Sequence, residues 1–337
     1  MIVAAITAAK NEEPSDMQKS FSNFEYESKR KQTRRDKFLG ELNQIVPWEE
    51  LENALEPYYP KVEGAGRRPI GLSRMLKILV AQNSFGYSDE GMEDAIYDSQ
   101  AIRGFVGVDL SREAAPDATT ILKFRHLLDE HKLTKAIFEK INEYLTAKGL
   151  LLREGTIIDA TLIAAPSSTK NKDKARDPEM HQSKKGNQWY FGMKAHIGVD
   201  VESGIVHTVV ATAGNVSDVV QAHAVLHGEE KHVMADAGYI GIEKREENKD
   251  KTDIEWHIAA KRSTIQKVTD ENVRGALEKL ERAKASIRSK VEHPFHVVKN
   301  LFKYRKVRYK RLAKNESQLF TLFGLANLVL ARRQLPA

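Results

Sequence analysis

The chain has 337 residues, enough for two domains, and its 41% hydrophobic content fits a soluble globular protein rather than a disordered or membrane-embedded one. Lys and Arg number 53 against 47 Asp and Glu, a net charge of +6 whose uneven distribution points to a polyanionic partner. Cysteine is absent, which removes disulfides, zinc-thiolate sites and cysteine nucleophiles in one step and is compatible with a reducing cytosol.

The opening residues are apolar but lack the basic n-region of a signal peptide, and residues 1–20 are expected to form a disordered extension. No apolar stretch approaches the ~20 residues that span a bilayer. A basic run, Lys29 to Arg35, reads as a solvated helix face or as an arm that contacts phosphates. Phe38, Leu42, Ile45, Trp48, Leu51 and Leu55 recur at three and four, as in short amphipathic helices punctuated by Pro47 and Pro57. Pro60 to Gly66 reads as a linker, and Gly66-Arg67-Arg68-Pro69 resembles a minor-groove hook only weakly.

From Leu72 to about Leu145 the helical period is strong, with Ser88 or Asp89 and then Pro116-Asp117 placed to start successive helices. These short helices fit a helix-turn-helix module with Thr119, Thr120, Lys123 and Arg125 facing a groove. They fit equally a bundle that supports a catalytic domain, and periodicity does not separate the two.

Past Gly149 the pattern changes. Apolar, β-branched runs at 155–164, 188–200 and 204–213, a helix at 217–227, a strand at 232–236, a helical piece near 240–248 and a strand at 254–259 indicate a mixed α/β domain. Ser167 to Gln188, which includes Lys184 and Lys185, reads as a DNA-contacting loop that orders on binding. Residues 273–303 predict one long amphipathic helix kinked at Pro294. Lys303, Arg305, Lys306, Arg308, Lys310 and Arg311 then crowd together with Tyr304 and Tyr309 between them, a candidate phosphate track. The last helix, Leu319 to Val329, is apolar enough for a core.

Two short apolar stretches, Thr156-Ile157-Ile158 and His232-Val233-Met234-Ala235, each lead into an aspartate followed by a small residue, Asp159 and Asp236, and the long helix carries Glu292 in a uniform helical phase with Arg288 and Lys299. Ionised carboxylates at the ends of buried strands need a cation or hydrogen bonds to offset their desolvation. Two such acids and a helical glutamate, converging, would suit Mg²⁺, which takes hard oxygen ligands. Asp200 and Asp218 read instead as a turn acid and a helix-start acid. Histidines 181, 196, 207, 293 and 296 lack zinc-like spacing.

Asp159, Asp236 and Glu292, with Arg288-x3-Glu292-x6-Lys299, resemble the catalytic acids and basic helix of bacterial insertion-sequence DDE transposases. The stretches 176–189, 191–200 and 235–239 resemble the insertion sequence 5 family, and the likeness runs from about residue 21 to 333. It implies a helical DNA-binding domain over 21–150 and a ribonuclease H-like catalytic domain over 151–334, with Asp236 ending the fourth strand. It further implies two Mg²⁺ or Mn²⁺ ions on the three acids, flanking phosphates on Arg288 and Lys299, inverted-repeat ends and target DNA as partners, and a homodimer or higher assembly on DNA. A bacterial, nucleoid-associated cytoplasmic enzyme with no membrane partner follows from the same likeness. The family's signature opens with a tyrosine three residues before the arginine, where this chain has Ala285; Trp189, Tyr190 or Tyr239 are candidates to supply the missing ring. A metal-dependent nuclease without strand transfer and a noncatalytic DNA-binding descendant are the alternatives.

Overall fold

Thr33 starts the helix Arg34–Ile45 by a reciprocal cap: its hydroxyl accepts from the Asp36 amide at 3.1 Å while the Asp36 carboxylate accepts from the Thr33 amide at 2.8 Å. A computed structural model describes residue 26 and residues 28–61, 68–332 and 334–335. The expected extension over 1–20, and most of the linker and hook around Gly66, lie outside the described residues.

Helices Arg34–Ile45, Trp48–Leu55, Leu72–Phe85, Asp89–Asp98, Gln100–Val106, Ala118–Glu130 and Leu133–Ala147 follow in order. Pro47 sits at the N-cap of the second, and Pro57 lies in a 3₁₀ turn that ends it. Ser88 caps the Asp89 helix by accepting from Gly91 at 2.9 Å, and Asp117 caps the Ala118 helix through Thr120 at 2.6 Å. Their apolar stripes, such as Met75, Leu76 and Leu79, are buried.

Six strands form one sheet: β1 Gly155–Ala164, β2 His181–Lys185, β3 Gln188–Asp200, β4 Val206–Ala213, β5 His232–Ala235 and β6 Glu255–Ile258. β3 lies between β1 and a pair of shorter strands, β2 along its first half and β4 along its second, all antiparallel. β5 and β6 continue from the other side of β1 in parallel. This mixed sheet with flanking helices accords with the expected ribonuclease H-like fold.

β2 corrects the reading of 167–188 as a loop. It pairs with β3 across a two-residue turn opened by Gly186 at φ 61°, and its Lys-rich, exposed residues gave no alternation to betray a strand. The preceding turn is anchored as well, because Asp177 and Glu179 accept from the Arg311 and Leu312 amides at 2.6 and 2.7 Å and so begin the terminal helix.

The expected 217–227 helix is one α-turn, Asp218–Gln221, followed by a 3₁₀ turn, and the piece near 240–248 is two 3₁₀ turns. The long helix also divides, into an α-helix Glu271–Arg288, a 3₁₀ turn Ser289–Val291, an α-turn Glu292–His296 and a π segment Val297–Leu301. The change of pitch comes before Pro294 because the ring removes an amide and crowds the carbonyl four residues back, Lys290. The uniform phase expected for Arg288, Glu292 and Lys299 is thereby broken.

The terminal helix Leu312–Ala331 packs on Leu133–Ala147, on Leu72–Phe85 and on β4. One apolar cluster runs from Leu39 through Ile96, Ile141, Ile157 and Val199 to Phe323 and Leu335. The helical region and the sheet thus share this core. A smaller cluster, with Ile158, Val233 and Tyr239, covers the other face of the sheet. No helix among the described residues is long and apolar enough to cross a membrane.

Candidate active site

β1 and β5 run parallel with Gly155, Thr156 and Ile157 opposite His232, Val233 and Met234. Carried two residues further, that register sets Asp236 beside Asp159, across a strand spacing of about 4.8 Å. Asp236 stands one residue past the fifth strand, not the fourth, because β2 precedes it. Its carboxylate accepts from Gly238 at 2.8 Å, which turns the chain sharply away from the sheet.

Asp159 accepts from its neighbour's amide, Ala160, at 2.7 Å. Burial, reinforced by the charge of Asp236, pushes its carboxyl up to about 6 against the opposing effects of that hydrogen bond and of the Arg288 guanidinium. Asp159 therefore keeps its proton to a higher pH than an ordinary carboxyl, and a positive charge beside it would favour its ionised form. Strand alternation aims it to the same face as Ile157, Thr161 and Ile163, two of which, Ile157 and Ile163, belong to the main core.

Lys299 meets that face. Its ammonium donates to the Thr161 hydroxyl and the Leu162 carbonyl, both at 2.7 Å, and burial together with Lys185 and Arg305 lowers its proton affinity. Lys290 holds the other end of the helical run by donating to the Val201 carbonyl at 2.7 Å. The run carrying Glu292 is thus held to the sheet by two lysines, one on the turn after β3 and one on β1. Glu292 itself is exposed and does not close on both aspartates: among the described residues, three potential ligand groups lie within 4.8 Å of one another at His232, Glu255 and His257.

Asp200 is a turn acid, buried and accepting from the amides of Arg153, Glu202 and Ser203. Asp218 lies closer to the chemistry than its place at a helix start suggests, since its charge reaches Asp159 and Tyr239. Lys194 engages it at 2.9 Å. Tyr239 is buried, and burial with the three aspartates pushes its phenol far up, so it is a neutral wall of the site and not an exposed ring. Trp189 is 63% exposed. His196 and His207 are core residues bonded to Thr212 and Thr156. His181, His293 and His296 are exposed.

The basic segment is fastened beside the end of β1. Ala164 donates to the Arg305 carbonyl at 3.3 Å and accepts from Val307 at 2.9 Å, while Tyr304 and Val307 are buried. Lys303, Arg305, Lys306, Arg308, Lys310 and Arg311 consequently project outward, with Lys184 and Lys185 exposed on the β2 hairpin. Tyr304 is a buried anchor, and the half-buried Tyr309 ring is covered from within the chain by Arg125. Lys123 is exposed on its helix. Arg125 is not: its guanidinium takes both oxygens of Asp89 at 2.5 and 2.8 Å beneath the Tyr309 ring. That pair removes Arg125 from any groove-facing set, and a partner 36 residues upstream left no local sign of it.

An open groove of about 880 Å³ between Phe138, His207 and Phe320 is lined by none of Asp159, Asp236 and Glu292. A polyanion is met by a charged surface more than by a concavity, so the groove carries no part of this site. Residues 151–328 match the family model described as Transposase DDE domain, and residues 27–127 match one described as Transposase domain (DUF772).

Proposed function

The chain belongs to the transposase DDE-domain family, whose model covers just over half of it, and from that premise we propose that it binds the inverted-repeat ends of an insertion sequence of the insertion sequence 5 type, cuts them and joins them to target DNA. The observation that carries this reading is the parallel register that sets Asp236 beside Asp159, with the Asp159 carboxyl pushed up to about 6 by burial and like charge.

Those two carboxyls fit a divalent cation, because it takes hard oxygen ligands and its charge offsets the desolvation of Asp159. Asp159 and Asp236 would hold Mg²⁺ or Mn²⁺, two ions per site, with Glu292 turning its exposed side chain inward to complete the set. Bound there, the ions would supply Lewis acidity and charge neutralisation at the phosphodiester. Arg288, beside Asp159, would hold a flanking phosphate. Lys299 would do the same with its remaining hydrogen while keeping β1 aligned. Lys303, Arg305, Lys306, Arg308, Lys310 and Arg311, with Lys184, Lys185 and Lys123, would track the backbone of two ends bridged by a homodimer or larger assembly.

In the first step water attacks phosphorus and the bond to the 3′ oxygen breaks, leaving a 3′-hydroxyl and a 5′-phosphate. In the second that hydroxyl attacks a target phosphodiester and a target 3′ oxygen leaves. No side-chain nucleophile takes part.

The test uses duplexes copied from the flanks of the encoding gene, with Mg²⁺ or Mn²⁺. Wild type cuts them and joins a pre-cut 3′-hydroxyl end, while Asp159→Asn, Asp236→Asn and Glu292→Gln each lose at least ~100-fold, the scale of losing a preorganised charge-stabilising group. Full cleavage by any of the three overturns the assignment of that acid. Cleavage without joining identifies a nuclease.

A further inference from the structure

At the far end of β5 a second group of ligating side chains converges. His232 is the register partner of Glu255 on β6, and His257, two residues further along β6, projects from the same face. His232 Nδ1 lies 3.2 Å from Glu255 Oε2, His257 Nε2 lies 3.8 Å from the same oxygen, and the two nitrogens are 3.4 Å apart. Bonds of about 2.0–2.1 Å in a tetrahedral site separate the ligand atoms by roughly 3.3 Å. The three atoms thus already outline one face of such a site, before any side chain moves.

We propose that His232, Glu255 and His257 bind Zn²⁺, with water in the fourth position. Imidazole pairs suit zinc, whereas Mg²⁺ requires an oxygen shell and near-octahedral geometry. The fourth position is open because the side chains of His232, Glu255 and His257 remain 48, 65 and 27% exposed. The site is separate from the acids: His232 and Asp236 stand at opposite ends of β5, roughly 13 Å apart at 3.3 Å per residue.

The ion has a structural task. β6 is an edge strand of four residues, paired only to β5, and β5 delivers Asp236. A metal bridging the two strands fixes their register at the end away from the chemistry.

Isothermal titration with ZnCl₂ of the whole chain, stripped with EDTA and kept free of Mg²⁺, decides the matter. One equivalent binds to an Asp159→Asn/Asp236→Asn variant, and wild type binds the same equivalent besides any ion held by the acids. Binding to His257→Gln and to His232→Gln/His257→Gln falls at least ~100-fold, since outer-shell losses alone cost about 10–100-fold. Zn²⁺ raises the melting temperature of the Asp159→Asn/Asp236→Asn variant but not once His257→Gln or His232→Gln/His257→Gln is added to it. Glu255→Gln repeats the comparison should a histidine variant misfold. Equal affinity in the histidine variants, loss of the event in the aspartate variant alone, or no binding by wild type overturns the proposal.

Discussion

The Lys299 ammonium lies 2.7 Å from the Thr161 hydroxyl, two residues along β1 from Asp159, and so couples the helix that carries Glu292 to the strand that carries the first acid. Lys299→Met removes two charge-assisted hydrogen bonds from a half-buried position, and chemical denaturation should record a loss of about 2 kcal/mol. Lys299→Arg keeps the charge but places a planar fork where a compact ammonium fits, so it should recover stability only in part. DNA cleavage by both should fall further than DNA binding.

Asp159 makes folding depend on pH in a definite direction. Its carboxyl moves from the ordinary 3.8 to about 6 on folding, so between those values the folded chain holds more protons than the unfolded one and stability falls as pH rises. The penalty is absent below pH 3.8 and complete above about 6. In cation-free buffer Asp159→Asn should therefore match wild type near pH 4 and exceed it by at most about 3 kcal/mol at pH 7, a ceiling because the group is not fully buried. Melting curves at the two pH values check the sign.

Arg125 and Lys123 share a helix but not a role. Arg125→Ala strands Asp89 in a largely buried pair and should cost about 2 kcal/mol of stability. Its effect on duplex binding should be small. Lys123→Ala should leave stability unchanged and lower the slope of log K against log salt by about 1 if its charge meets a phosphate. Urea melts and fluorescence anisotropy across a salt series separate the two patterns.

Asn327 is fully buried where three elements meet. It donates to the Asn142 side chain at 2.8 Å and the Val206 carbonyl at 2.7 Å, and it accepts from the Val206 amide at 2.9 Å. Asn327→Leu abandons those partners in the core, at about 1–3 kcal/mol for each group left unsatisfied. The variant should unfold as one cooperative unit at lower denaturant. A separate early transition of the helical region would contradict the shared core.

The chain's legible parts are those whose signal is local. β1, β3 and β5 announced themselves as apolar, β-branched runs, and Ser88 and Asp117 as caps. β2 did not, because a strand with both faces exposed has no hydrophobic period. Of the site, the identities of Asp159, Asp236 and Glu292 came from a family likeness, while the register that pairs the first two depends on a parallel crossover no local pattern reveals. Arg125 and Asp89, or His232 with Glu255 and His257, are close only because distant strands and helices pack, and spacing along the chain hides them. The broken pitch around Pro294 was half visible: the proline marked the place, but the 3₁₀ turn and the π segment depend on how Lys290 and Lys299 grip the sheet.

The terminal helix Leu312–Ala331 is made after everything it packs against. Until it emerges from the ribosome, the Leu133–Ala147 helix and β4 face each other across an open apolar seam. An incomplete copy would expose that seam to chaperones and proteases.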